Sequence, residues 1–115
     1  MKDLCFLSAT QIAEGLQSGD IKSAQVLESF SNRIAEFEDT VKAWEHYDKD
    51  FILQKANEAD DYKNIGRPIG PLHGLPIGIK DIFGTNDMPT RCGTNLVGGV
   101  HTKDDASVVS FLRNA

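Results

Sequence analysis

The stretch Gly70-Pro71-Leu72-His73-Gly74-Leu75-Pro76-Ile77-Gly78-Ile79-Lys80-Asp81 decides how the rest of the sequence is interpreted. Its glycines and prolines are typical of a loop that leads into a strand. Successive side chains of a strand alternate between its two faces, so Leu75, Ile77 and Ile79 would share one face and Lys80 would lie on the other. The pattern predicts a β-strand that ends at Lys80.

Lys80 is the residue of this stretch best suited to chemistry. Gly78 on the same face leaves space for another backbone or a substrate. A lysine buried at the end of a strand loses hydration unless it has a partner, and burial favours the uncharged amine, the form that acts as a base. A lysine in this position also commonly extends to solvent. The residues alone therefore leave both interpretations open.

Several other kinds of site are excluded by spacing. Three residues separate Gly74 from Gly78, where a phosphate-binding loop has four, and Asp81 stands where Ser or Thr would hold magnesium. The cysteines, Cys5 and Cys92, are far apart and lack a metal-type spacing. We therefore expect no cofactor and no metal.

The overall charge and hydropathy exclude further classes. The chain has 12 basic and 17 acidic residues and a net charge of -5, so it lacks the basic stripe of a protein that binds nucleic acid directly. No stretch is long enough to cross a bilayer, and the first apolar run is too short for a signal peptide. We predict a cytoplasmic protein without a membrane partner.

The chain changes character near residue 65. Before that point glycine occurs only at Gly15 and Gly19 and proline is absent, whereas all four prolines lie beyond it. We divide the chain into an N-terminal helical region, 1–64, and a region of strands and tight loops, 65–115. This predicts an α/β fold, with N-terminal helices followed by the first strands of a mixed central sheet.

Local signals locate the predicted elements. Ser8 and Gln11 form a capping-box pattern at the start of the first helix, and Gly19 is a plausible left-handed end. A weak alternation predicts a short strand from Val41 to Tyr47. The last helical pattern opens with an aspartate and has no stop signal, which predicts a domain truncated at residue 115. Helices are predicted at 8–19, 23–37, 50–61 and 104–115.

The quoted stretch closely resembles the lysine-bearing motif of the amidase signature family. Met88-Pro89-Thr90 and Gly93-Thr94 resemble the family's next segment, and Asp105-Ala106-Ser107-Val108-Val109 resembles the helix after it. The N-terminal helices and 43–61 match the usual opening of the family. The resemblance thus covers essentially the whole chain and implies an incomplete amidase signature fold.

The resemblance implies a Ser–cis-Ser–Lys triad in which Lys80 is the catalytic base. Through a bridging serine, the lysine takes the proton of a nucleophilic serine, which attacks a small-molecule carboxamide and forms an acyl-enzyme. The family's Gly/Ser-rich stretch, which holds both serines, is absent from the 115 residues. We therefore expect the chain alone to be inactive, and we expect exposed sheet edges to favour its association with further copies.

The serines that are present lie in helical or helix-start contexts, and we interpret them as caps or surface residues. They are Ser8, Ser18, Ser23, Ser29, Ser31, Ser107 and Ser110. Asp81 is interpreted as a structural hydrogen-bond acceptor and His73 as a residue that packs its loop. Thr90 and Thr94 are expected to form turn hydrogen bonds.

Three alternatives stay open beside the general amidase. The first is the branch of the family formed by the A subunit of the tRNA-dependent glutamine amidotransferase, which usually has an Ala-Ser pair near the position of Gly93-Thr94; this chain lacks it. The second is a non-catalytic binding or dimerisation module. The third is a cysteine hydrolase in which Cys92 pairs with His73 or His101.

Overall fold

The computed structural model describes residues 3–96 and 99–115. Within these ranges lie a short 3₁₀ helix, four α-helices and two compact units. None of the described helices is both long enough and apolar enough to span a bilayer. The elements are the 3₁₀ helix Leu4–Phe6, α1 (Ala9–Ser18), α2 (Ser23–Val41), α3 (Lys49–Asn64) and α4 (Ser107–Asn114).

The first unit comprises the described residues through Ala43 together with Asp48–Pro76. It contains the 3₁₀ helix and α1 to α3. The second unit comprises Trp44–Tyr47 and Ile77–Ala115 and contains α4. The boundary at Pro76 falls inside the lysine motif.

Helix α1 begins and ends where its local signals predict. The Gln11 N–H donates to Oγ of Ser8 at 3.2 Å, and the Ser8 N–H donates to Oε1 of Gln11 at 3.0 Å. These two bonds confirm the capping box. Gly19 ends the helix in the left-handed conformation, with φ of 89°.

The core of the first unit forms where apolar faces of α1 and α2 are buried. Ile12, Leu16 and Val26 are 2%, 5% and 0% exposed, and burying each contributes roughly 1.5–3 kcal/mol. The partly buried residues packed against them are Leu4, Leu7, Ile21, Phe30 and Leu75. The C-terminal end of the Gly70–Pro76 loop is thereby held on the helical core.

Helix α2 begins at Ser23, as predicted, but Ser23 is not its cap. The Ser23 side chain is buried, and its Oγ donates to the Gly74 carbonyl at 2.6 Å. The predicted strand over Val41 to Tyr47 is wrong, because α2 continues through Val41 and ends at Lys42 in the left-handed conformation, φ 51°. The residues that follow have no regular structure up to α3.

The predicted α/β class is also wrong for the residues that the structure describes. Residues 3–96 and 99–115 contain no β-strand, and the nearest approach is one isolated antiparallel bridge between Thr90 and Val100. A strand needs a neighbour for its backbone N–H and C=O groups, and none of the described residues pairs with Ile77–Lys80. The predicted sheet edges are therefore absent from the described ranges as well.

Hydrogen bonds to backbone carbonyls hold the loops of the second unit. Oγ1 of Thr102 donates to the Thr85 carbonyl at 2.9 Å, and the Ala106 N–H donates to the Gly84 carbonyl at 2.9 Å. Thr85 is itself 3% exposed. These contacts, rather than a sheet, lead the chain into α4.

Helix α4 begins later than predicted and is not capped by an aspartate. Its N-cap residue is Ala106, which makes no side-chain cap hydrogen bond. The Asp105 carboxylate instead accepts the Asn86 N–H and Nε of Arg113, each at 2.8 Å. Nη2 of Arg113 also donates to both carboxylate oxygens of Asp87 at 2.9 Å. The helix is thus anchored by its last turn as well as by its first.

Candidate active site around Lys80

Lys80 lies at the start of a turn in the second unit. The Phe83 N–H donates to the Lys80 carbonyl at 3.0 Å, which closes the turn 80–83. The side chain of Lys80 is exposed, the solvent-extended one of the two positions that the sequence left open, because no neighbouring strand covers it within the described ranges. Among residues 3–96 and 99–115 it also has no hydrogen-bonding or ion-pair partner, so its amine is accessible.

Asp81 makes the contacts that the lysine lacks. Its Oδ1 accepts the Arg91 N–H at 2.8 Å, and its Oδ2 accepts the Gly93 N–H at 3.3 Å. Its backbone carbonyl accepts the Cys92 N–H at 3.0 Å. Asp81 is therefore a structural hydrogen-bond acceptor, as the sequence predicts, and it joins the residue next to Lys80 to the loop 91–93.

The loop 91–93 has an unusual backbone that suits this contact. Cys92 and Gly93 both have positive φ, 55° and 70°. Positive φ is uncommon for a residue other than glycine, and at Cys92 it accompanies the hydrogen bond to Asp81. Of the two threonines beside the loop, Thr94 forms a turn hydrogen bond, as predicted, whereas Thr90 binds a residue seven positions earlier. Thr90 Oγ1 donates to the Phe83 carbonyl at 3.3 Å, and Thr94 Oγ1 accepts the Leu96 N–H at 3.1 Å.

The space that Gly78 was expected to leave open is filled by Trp44. A β-carbon added to Gly78 would stand 3.2 Å from Cη2 of the indole ring. Trp44 also packs near Tyr47, with ring centroids 6.0 Å apart. Next to it, Glu45 pairs with Nε of Arg91 at 3.4 Å. The segment 44–47 therefore covers part of the lysine-bearing loop.

His73 belongs to the first unit and serves its packing. Its Nε2 is 2.8 Å from the Ala59 carbonyl, the distance of a hydrogen bond from the ring N–H, and its ring lies 5.5 Å from that of Tyr62. Both contacts agree with the packing role that the sequence indicates. In the described structure no hydrogen bond joins the Cys92 thiol to His101, so the cysteine-hydrolase alternative gains no support there.

The serines divide into two groups. Ser8 caps α1, and Ser29 accepts the Cys5 N–H at 3.1 Å. Ser23 and Ser31 are buried, 4% and 2% exposed, which differs from the predicted cap or surface position. No serine of the described residues is bonded to Lys80. No three of the described His, Cys, Asp and Glu side chains are placed to hold a metal ion.

Sequence reasoning missed Trp44 and Arg91 as components of this region. Both contact the motif across many positions of the chain, and no local spacing marks such a contact. The one signal in the sequence was the glycine at 78, because a missing side chain implies a close neighbour. No residue close to Gly78 in the sequence indicates that this neighbour is an aromatic ring rather than a strand.

Comparison with known proteins shows the family to which the chain belongs. The sequence model of the amidase family matches residues 25–115, which include Lys80, Asp81 and the loop 91–93. The chain belongs to the amidase family. No solved structure matches the chain significantly.

Several relatives of this chain are A subunits of glutamyl-tRNA(Gln) amidotransferase. The protein of Streptomyces coelicolor is 35% identical over 115 residues, 100% of this chain and 23% of its own length. That of Thermobifida fusca is 33% identical over the same shares. That of Rhodopirellula baltica is 34% identical over 94% of this chain and 22% of its own length. The chain thus spans less than a quarter of these relatives.

Proposed function

We propose that this chain supplies the lysine of an amidase centre that hydrolyses the C–N bond of a small carboxamide. Lys80 is the base of a Ser–cis-Ser–Lys triad, and both serines come from polypeptide outside these 115 residues. Region 65–115 carries the lysine motif, and region 1–64 supports it. Membership of the amidase family supports this proposal.

The observation that carries the proposal is the contrast between Lys80 and Asp81. The Asp81 carboxylate is engaged by the N–H groups of Arg91 and Gly93. The amine of Lys80 stays exposed and, in its deprotonated form, can accept a hydrogen bond from an incoming hydroxyl. A general base must be within hydrogen-bond reach of the proton that it removes, and no partner among residues 3–96 and 99–115 occupies this amine.

The proposed reaction has two halves. In the first, the bridging serine passes the proton of the nucleophilic serine to the uncharged amine of Lys80, while the nucleophilic Oγ bonds to the carbonyl carbon. The C–N bond then breaks, and the departing nitrogen takes the proton, which releases ammonia and leaves an acyl-enzyme. In the second half, water passes a proton along the same path to the amine of Lys80 while its oxygen bonds to the acyl carbon. The bond from that carbon to the serine Oγ then breaks, Oγ takes the proton back, and the acid is released.

The experiment compares the 115-residue chain with the natural polypeptide in which it occurs. Each is incubated with glutamine, propionamide and benzamide, and released ammonia is measured. We expect the natural polypeptide to release ammonia and the isolated chain to release none, because the isolated chain lacks the serines. Hydrolysis by the isolated chain, or inactivity of the natural polypeptide on every amide, would contradict the proposal.

A second candidate follows from the name of the relatives, which are A subunits of glutamyl-tRNA(Gln) amidotransferase. In that case ammonia released from glutamine would be transferred to glutamyl-tRNA(Gln) with the help of a partner protein. The missing Ala-Ser pair near Gly93-Thr94 weighs against it. Co-purification of a partner and glutamine-dependent amidation of glutamyl-tRNA(Gln) would favour this candidate over the general amidase.

The free thiols also bear on the cellular compartment of the protein. Cys5 and Cys92 are both unpaired, and free thiols are typical of a reducing compartment. This supports the proposal of a cytoplasmic enzyme.

A further inference from the structure

Three successive N–H groups of one loop converge on a single residue. The N–H groups of Arg91 and Gly93 donate to the two carboxylate oxygens of Asp81, and the Cys92 N–H between them donates to the Asp81 carbonyl. The left-handed conformations of Cys92 and Gly93 accompany this arrangement. Successive N–H groups in such a turn form a concavity that binds anions. Here the anion is the side chain next to Lys80.

The convergence restrains the backbone that follows the lysine side chain. The Phe83 N–H closes the turn 80–83 on the Lys80 carbonyl at 3.0 Å. Asp81, the next residue, is joined to the loop by three hydrogen bonds. Thr90 adds a further bond to the Phe83 carbonyl at 3.3 Å. The peptide from which Lys80 projects is thus tied to the loop 91–93 by contacts that do not involve the lysine amine.

The same contacts keep the carboxylate away from the amine. An unengaged Asp81 would be the nearest anion to the Lys80 amine along the chain and would compete for it as an ion-pair partner. A lysine held in an ion pair keeps its proton and cannot act as a base. Because both carboxylate oxygens accept hydrogen bonds from backbone N–H groups, Asp81 keeps its negative charge but does not pair with the Lys80 amine.

We propose that Asp81 is a positioning residue for Lys80. It fixes the backbone from which the lysine projects, and the loop 91–93 holds its carboxylate so that the lysine amine stays unpaired. This inference rests on the proposed function, because it assigns Asp81 a role in the reaction of Lys80. Asp81 itself touches no reacting atom.

The variants differ in what they remove. Asp81→Ala leaves the Arg91 and Gly93 N–H groups without their acceptor, which removes two of the three hydrogen bonds between residue 81 and the loop 91–93. Misplacement of a reacting group by about 1 Å costs on the order of a hundredfold in rate, so we expect kcat to fall by about ten- to a hundredfold. KM should change less than about twofold, since substrate binding is not assigned to Asp81. Asp81→Asn keeps one oxygen acceptor and should lose less of kcat than Asp81→Ala.

Asp105 provides a matched control in the same unit. Its carboxylate also accepts a backbone N–H, that of Asn86 at 2.8 Å, and it is bonded to Arg113 rather than to the lysine loop. Asp105→Ala should therefore lower the thermal midpoint while kcat remains that of the wild type. Lys80→Ala serves as the reference for complete loss of the base.

The experiment measures kcat, KM and thermal midpoint of the natural polypeptide with each variant, using the carboxamide that it hydrolyses fastest. A selective fall of kcat in Asp81→Ala, an intermediate kcat in Asp81→Asn and a normal kcat in Asp105→Ala would support the inference. Wild-type kcat in both Asp81 variants would overturn it, as would an equal fall of kcat in Asp105→Ala. If Asp81→Ala does not fold, the kcat of Asp81→Asn alone decides.

The outcomes separate this inference from the proposed function. If Lys80→Ala is inactive and the Asp81 variants are normal, the role of Asp81 is wrong and that of Lys80 stands. If Lys80→Ala keeps the wild-type kcat, or if the wild type hydrolyses no carboxamide, the proposed function is wrong and this inference falls with it.

Discussion

At Gly78 the chain passes close to the indole ring of Trp44. A β-carbon at this position would lie 3.2 Å from Cη2 and 3.6 Å from Cζ3 of the ring. The first distance is tighter than an ordinary contact, so the ring would have to shift. Because Trp44 is 41% exposed, it has room to do so. The glycine therefore sets how closely 44–47 approaches the loop that carries Lys80.

We expect Gly78→Ala to move the Trp44 ring and to destabilise the second unit by about 1 kcal/mol, the low end of the cost of over-packing. Trp44 is the single tryptophan of the chain, so its fluorescence reports the change directly. Gly66→Ala is the control for the fluorescence alone, since a β-carbon there meets nothing within 4 Å but the φ of 76° at this position strains an alanine. An unchanged emission spectrum in Gly78→Ala would contradict the predicted contact.

At the scale of elements, α2 is capped by a residue of α3. The Ser23 N–H donates to Oδ1 of Asp60 at 2.8 Å, and the Ala24 N–H donates to Oδ2 at 3.1 Å. A carboxylate in this position satisfies N–H groups that lack partners within the helix and interacts favourably with the helix dipole. The two helices therefore stabilise each other through one side chain.

Asp60→Ala should lower the free energy of unfolding by about 2 kcal/mol, a magnitude typical of lost helix caps and of hydrogen bonds to charged groups. Asp61→Ala is the matched control, because Asp61 is exposed and its side chain makes no bond in the described structure; we expect less than about 0.5 kcal/mol. Urea unfolding of the chain measures both. Equal losses in the two variants would show that the cap does not contribute.

Helix α4 depends on the ionisation of Asp105. The hydrogen bond from the Asn86 N–H and then the contact with Arg113 lower the pKa of Asp105 below its usual 3.8. A carboxyl with a lowered pKa in the folded state stabilises the protein fully above its unfolded pKa, about 3.9. That contribution is lost as pH falls through the lower folded pKa.

The stability difference between the wild type and Asp105→Asn should therefore be constant above about pH 5 and shrink below about pH 4. Thermal unfolding between pH 2.5 and 7 measures it, and an NMR titration of the Asp105 carboxyl gives its pKa. Asp104→Asn is the neighbouring control, because the Asp104 side chain is exposed. A difference that grows as the pH falls would contradict the assignment.

The helices show which parts of the structure could be predicted from the sequence. The start of α1 depends on Ser8 and Gln11, three positions apart, and such local signals located it correctly. The cap of α2 comes from Asp60, and Asp105 binds Asn86 instead of opening α4; neither contact leaves a local pattern. The strand over Ile77–Lys80 was predicted from alternation alone, but alternation supplies no pairing partner.

At the scale of the whole molecule, the lysine motif contributes to two units. His73 and Gly74 are bonded within the first unit, and Lys80 and Asp81 within the second. Composition and spacing alone left Lys80 as a lysine that could simply extend to solvent. Its proposed role came from the resemblance to the amidase family, and the match of the family model to residues 25–115 supports that resemblance. The arrangement around Asp81 came only from the structure.

The central claim is that Lys80 is the base of an amidase centre. The most direct test is kcat for ammonia release by the natural polypeptide with Lys80→Ala, beside Lys103→Ala as an exposed lysine of the same unit. We predict that Lys80→Ala lowers kcat by at least about a hundredfold, the usual minimum for loss of a general base, and that Lys103→Ala leaves it unchanged. A kcat in Lys80→Ala equal to that of Lys103→Ala would contradict the claim.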